Sequence, residues 1–110
     1  MHLEFPNGVV VNDRQEIFIS DHWAHCVKVF NYEGVFLRQI GDVEITYKPL
    51  GVGINAGGEV FIGNLNKHKY EEKFFNLSVF SQDGQLLAEM ESQVEHVDCF
   101  DICLMDDAIA

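Results

Sequence analysis

The residues best equipped for chemistry sit in one short run, Ser-Asp-His-Trp-Ala-His-Cys, at Ser20–Cys26. Asp21, His22, His25 and Cys26 are all potential metal ligands, and the same types build nucleophile–base pairs. Their spacing argues against both uses. Zinc sites pair their ligands, and the His22-x-x-His25 pair has no second pair close in the chain. Cys26 opens the apolar run Cys-Val-Lys-Val-Phe and reads as a small strand residue. No nucleophile motif, phosphate-binding glycine loop or catalytic carboxylate pair occurs elsewhere. No catalytic residue, metal or cofactor is therefore expected. The run reads instead as a loop between two strands, with His22 and Trp23 at its tip.

The elements that must hold this loop repeat along the chain. Pro-Asn-Gly-Val-Val-Val-Asn at Pro6–Asn12 returns as Pro-Leu-Gly-Val-Gly-Ile-Asn at Pro49–Asn55, and Glu16–Asp21 returns as Glu59–Asn64, both offset by 43 residues. Val27–Leu37 returns as Leu77–Leu87, offset by 50. A period in the forties with only strand-like segments points to β-propeller blades. Each unit has four short runs of Val, Ile and Phe bounded by turn residues. The first predicts strands at Gly8–Val11, Glu16–Ser20, Cys26–Phe30 and Val35–Ile40. The second predicts them at Gly51–Ile54, Glu59–Ile62, Asn76–Phe80 and Gln85–Met90. Gly34, Gly84 and one of Gly57 and Gly58 are placed to take positive φ in the tight turns.

The expected fold is all-β, with one blade over about 5–41, a second over about 48–91, and the first strand of a third within about 96–107. Rings close with about four to eight blades, so the chain is expected to be part of a larger propeller, with apolar outer faces left uncovered.

The bulk numbers narrow the function. At 110 residues the chain holds one small domain, and its formal net charge is −11. Such a charge opposes generic binding to phosphate backbones, so DNA is not expected as a partner. No apolar run approaches the ~18 residues of a membrane span. There is no signal-peptide pattern, and three cysteines are an odd count, so a cytoplasmic location with reduced thiols is expected. Cys99 and Cys103 on one strand would lie ~13 Å apart, beyond disulfide reach.

These residues resemble the NHL repeat family, and within it the TRIM-NHL proteins. The resemblance is carried by Phe-Pro-Asn-Gly-Val-Val-Val-Asn, Ile-Phe-Ile-Ser-Asp, Ala-His-Cys-Val-Lys-Val-Phe and Tyr-Glu-Gly-Val-Phe-Leu-Arg-Gln-Ile-Gly. It implies an NHL-type, six-bladed propeller from a translational repressor. The propeller would bind single-stranded RNA or other translational regulators on one face. Many members also carry RING, B-box and coiled-coil regions, which this sequence does not contain. The alternative implied is a protein-interaction or substrate-recognition arm of a ubiquitin ligase. Asp21 and His25 match the family's repeat-defining pair and are expected to hydrogen-bond to each other. His22–Trp23 departs from an Asn–Arg in relatives, and Lys48 replaces a Tyr before Pro49.

In an antiparallel meander the loops between strands two and three share a face with the connections between blades. The entry segment His2–Phe5 and the loops Asp21–His25, Asp42–Lys48, Asn64–Phe75 and Ser92–Asp98 would therefore lie together as the long-loop, recognition face. Candidate binding residues there are Phe5, His22, Trp23, Tyr47, Lys48, Lys67, Lys69 and Tyr70. Aromatic rings with interleaved lysines suit stacked bases and phosphates. The acids Glu4, Asp21, Asp42, Glu44, Glu71, Glu72, Glu91, Glu95 and Asp98 share the same loops and favour a protein partner instead.

Overall fold

The computed structural model describes residues 2–65 and 74–95. Eight strands form two antiparallel meanders. The first sheet takes β1 (Pro6–Val11), β2 (Glu16–Asp21), β3 (Cys26–Asn31) and β4 (Phe36–Ile40) in sequential order. The second takes β5 (Pro49–Ile54), β6 (Val60–Leu65), β7 (Phe74–Phe80) and β8 (Leu86–Glu95) in the same order. The innermost strands β1 and β5 lie side by side, so the sheets radiate from a common edge as blades do. The proposed start of a third blade, with Cys99 and Cys103, lies outside the described residues.

The turns follow from side chains that mimic backbone. Asn12 Oδ1 accepts the Arg14 and Glu16 amides, and its Nδ2 donates to the Glu16 carboxylate. Asn55 repeats this with Glu59 at the same offset. Asn31 and Ser81 cap the second kind of turn, where Gly34 and Gly84 take φ of 85° and 100°. Gly58 takes φ of 83°, and its counterpart Gln15 adopts φ of 61° despite its side chain.

The second sheet departs from expectation at its ends. Asn64 and Phe75, expected to bound a long loop, are strand residues paired Asn64↔Asn76 and Leu65↔Phe75. β8 likewise runs on to Glu95, through residues expected to form a connection. The ladder thus takes in Asn64, Leu65, Phe74 and Phe75, all expected within the connection.

Strand pairing sorts the side chains onto faces. On the first sheet, Val10, Phe18, Val27, Val29 and Ile40 share one face, and Val9, Val11, Ile17, Ile19 and Phe30 share the other. On the second sheet Val52, Ile54, Val60, Ile62 and Phe80 share a face, and they pack onto Phe18, Val27, Val29 and Ile40 in one buried cluster. Those second-sheet residues are the repeat counterparts of Val9, Val11, Ile17, Ile19 and Phe30. One type of face thus meets the other at the blade junction. The counterpart face of the first blade stays open: Val9 is 65 % exposed where Val52 is 7 %. A groove of about 360 Å³ runs over it, bordered by Leu3, Ile17, Ile19 and Phe30.

Candidate functional site

The loop His22–His25 leaves β2 at a residue that is fully buried. The Asp21 carboxylate accepts the backbone amides of Glu4 (2.8 Å) and Phe5 (2.7 Å) and the Lys28 ammonium (3.2 Å). Lys28 also donates to the His2 carbonyl at 2.8 Å. Burial pushes the Asp21 carboxyl up, but the two amides and Lys28 outweigh it and hold it below its ordinary 3.8. The incoming chain is thereby clamped beside the loop, and the His22 amide donates to the Phe5 carbonyl at 2.9 Å.

The second blade builds the same clamp without charge. Asn64 stands where Asp21 does and Ser78 where Lys28 does. The Ser78 hydroxyl donates to Asn64 Oδ1 at 3.0 Å, and Asn64 Nδ2 donates to the Ile45 carbonyl of its incoming segment. The Leu65 amide donates to the Tyr47 carbonyl, as that of His22 does to Phe5.

The clamp gathers an aromatic cluster. Phe5, His22 and Trp23 lie with ring centroids 5.9, 6.3 and 5.8 Å apart, tilted or edge-on to one another. Phe5 is 51 % and Trp23 57 % exposed. His22 is held from behind, its Nδ1 3.1 Å from the Pro49 carbonyl of the next blade. A carbonyl only accepts, so that nitrogen carries the hydrogen. His25, at φ of 60°, turns across the junction instead of back to Asp21. Its Nδ1 accepts the Lys48 amide at 3.0 Å, and its ring stacks on Tyr47 at 4.9 Å and 4°. The expected Asp21–His25 hydrogen bond is thus corrected: Asp21 serves the incoming segment of its own blade, and His25 serves that of the next.

Five of the eight candidates therefore converge on one blade junction: Phe5, His22, Trp23, Tyr47 and Lys48. Within that group Tyr47 is already engaged, by His25 on its face and by the Lys48 ammonium 5.3 Å from its centroid. Lys67, Lys69 and Tyr70 lie outside the described residues.

A polar strut at the opposite end of the junction escaped the sequence reading. Arg38 places both terminal nitrogens 3.1 Å from the Glu16 carboxylate, donates through Nε to the Gln82 carbonyl, and lies 5.5 Å over the Phe18 ring. Gln82 Oε1 accepts from Asn12 and Arg14 of the first blade. The Arg38 hydrogen bonds hold the Glu16 carboxyl at about 2 against an opposing push from burial. The signal was present in the strand alternation, which puts Arg38 on the face of Val29 and so toward the next blade.

Burial drives the Cys26 thiol up to about 11, which keeps it protonated and non-nucleophilic at neutral pH. Among the described residues no three His, Cys, Asp or Glu side chains converge as a metal site.

Two stacked antiparallel meanders, each clamping its incoming segment at the same position, define a pair of β-propeller blades. Residues 3–30 match the family model described as the NHL repeat. Over 33 residues, 30 % of this chain, the sequence is 62 % identical to Protein brain tumor of Drosophila melanogaster. A stretch of the same size is 58 % identical to the B-box type zinc finger protein ncl-1 of Caenorhabditis elegans. The matched stretch spans 3 % and 4 % of those proteins' lengths. Among solved structures, a luciferin-regenerating enzyme superposes on 81 % of this chain with a TM-score of 0.56. It shares 14 % identity, and the match spans 30 % of its own length, so the likeness is one of fold.

Proposed function

We propose that the chain is the partner-binding part of an NHL-repeat regulator acting in post-transcriptional repression in the cytoplasm, and that it binds through the junction face of Phe5, His22 and Trp23. The observation that carries this reading is an exposed aromatic cluster fixed by part-buried hydrogen bonds to the blades on both sides. Rings held rigid and open at a junction lose little entropy on docking a ligand. Single-stranded RNA is the first candidate ligand, supported by what the resemblance to the NHL repeat family implies and by the capacity of open rings to stack bases. Fluorescence anisotropy with a U-rich single strand tests it. Salt-sensitive, saturable binding that Phe5→Ala weakens is expected, and absence of binding at low salt would remove RNA as the ligand.

A second reading, protein docking or substrate recognition for a ubiquitin ligase, is favoured by the net charge of −11. It is also favoured by Tyr47, whose ring is committed within the fold and offers less to an incoming base.

A further inference from the structure

The charge around the aromatic cluster decides what kind of protein segment it suits. Glu4 is exposed directly before Phe5, and Asp42 and Glu44 are exposed on the connection that leads to Tyr47. Against these carboxylates the described part of the face sets one lysine, Lys48. The cluster therefore offers aromatic surface inside an acidic rim on an acidic chain. A nucleic acid would have to bring phosphates into that rim; a cationic side chain would be drawn by it.

We propose that the Phe5–His22–Trp23 cluster docks an arginine-bearing segment of a protein partner, with a guanidinium against the open indole of Trp23 and a rim carboxylate such as Glu4 pairing with it. This rests on the protein-docking reading and specifies its ligand chemistry. Arginine fits better than lysine. Its planar, weakly hydrated guanidinium stacks on aromatic faces while its edge donates to a carboxylate, and an ammonium does only the second well. The fold itself uses this arrangement in Arg38, which covers the Phe18 ring and pairs with Glu16 through its edge. Aromatic and arginine side chains are also the pairings that dominate interface energetics.

Trp23 is the only tryptophan in the sequence, so its fluorescence reports on this site alone. The full chain is titrated with a blocked Gly-Arg repeat peptide, its Gly-Lys counterpart and a U-rich single strand, and labelled peptide is followed by anisotropy in variants. Saturable quenching by the arginine peptide is expected, with several-fold weaker binding of the lysine peptide. Trp23→Leu should weaken the arginine peptide about ten-fold, Trp23→Phe less, and Glu4→Gln several-fold. Circular dichroism confirms that each variant is folded. Equal affinity for the two peptides, or an unchanged affinity in folded Trp23→Leu, would reduce the effect to general attraction by an acidic chain and overturn the proposal. Binding of RNA without the peptide would overturn it and leave the RNA reading standing. Binding of neither would end both.

Discussion

Asp21 and Lys28 form a buried ion pair whose worth depends on both members being present. Taking either charge out of water is costly, and the pair is tolerated because Asp21 also receives two backbone amides and Lys28 a backbone carbonyl. Removing one partner strands the other. Lys28→Ser should therefore cost about 3–5 kcal/mol in denaturant unfolding. Asp21→Asn with Lys28→Ser installs the neutral pair of the second blade, Asn64–Ser78, at the same position. The double variant should be more stable than Lys28→Ser alone, with a coupling of about 1–3 kcal/mol. Additive losses would mean that the two residues act independently. Asp21 was singled out in the sequence but its pairing with Lys28 was not, because a lysine inside Val-Lys-Val-Phe reads as a solvent-facing strand residue. It is found only by setting Asp21 beside its diagonal neighbour on the adjacent strand. The Trp23 tip, in contrast, was legible from composition alone, since a tryptophan between two predicted strands has few apolar neighbours in its own loop.

Between elements, the blades are joined by an apolar cluster and by the strut of Glu16, Arg38 and Gln82. The strut gives the junction a defined acid sensitivity. The Glu16 carboxyl sits at about 2 in the fold against an ordinary 4.5, so it binds its proton more readily when unfolded. Its contribution is fully present above about pH 4.5 and is lost as pH falls toward 2. Glu16 is largely shielded from solvent, and the loss should be at most about 3 kcal/mol. Measured from pH 6 to pH 2, unfolding free energy should fall less steeply in Glu16→Gln than in the unaltered chain. Equal slopes would assign the acid sensitivity elsewhere. The turns at this scale were readable because Asn12, Asn55, Gly34 and Gly84 carry their conformations in their chemistry. Gln15 was not, since a glutamine gives no sign that its backbone will turn left-handed. The His25–Tyr47 stack was unreadable for another reason: its partners belong to different units and meet only when the sheets stack.

For the molecule as a whole, the repeat makes one face predict another. Val9, Val11, Ile17 and Ile19 occupy the positions at which Val52, Val60 and Ile62 are buried and Ile54 partly so, yet they have no sheet across from them among the described residues. That open face should bind an environment-sensitive apolar dye and promote association at high concentration. Val9→Lys should reduce both with little change in stability, because Val9 is already mostly in water. Dye binding and sedimentation velocity measure the two effects, and no change in either would show that another surface is responsible.

The two incoming-segment clamps are built alike but from different chemistry, a salt bridge in one blade and an amide–hydroxyl pair in the other. Repeats invite mistaken identity, since a segment that fits one blade nearly fits its neighbour. Here an exchange carries a penalty. The stretch that satisfies Asp21 offers two amides to a carboxylate, and the stretch that satisfies Asn64 offers a carbonyl to an amide. Moved to the other blade, the carbonyl would face a buried carboxylate. The clamp thus acts as an address as well as a fastening, telling each length of chain which of two similar sheets is its own.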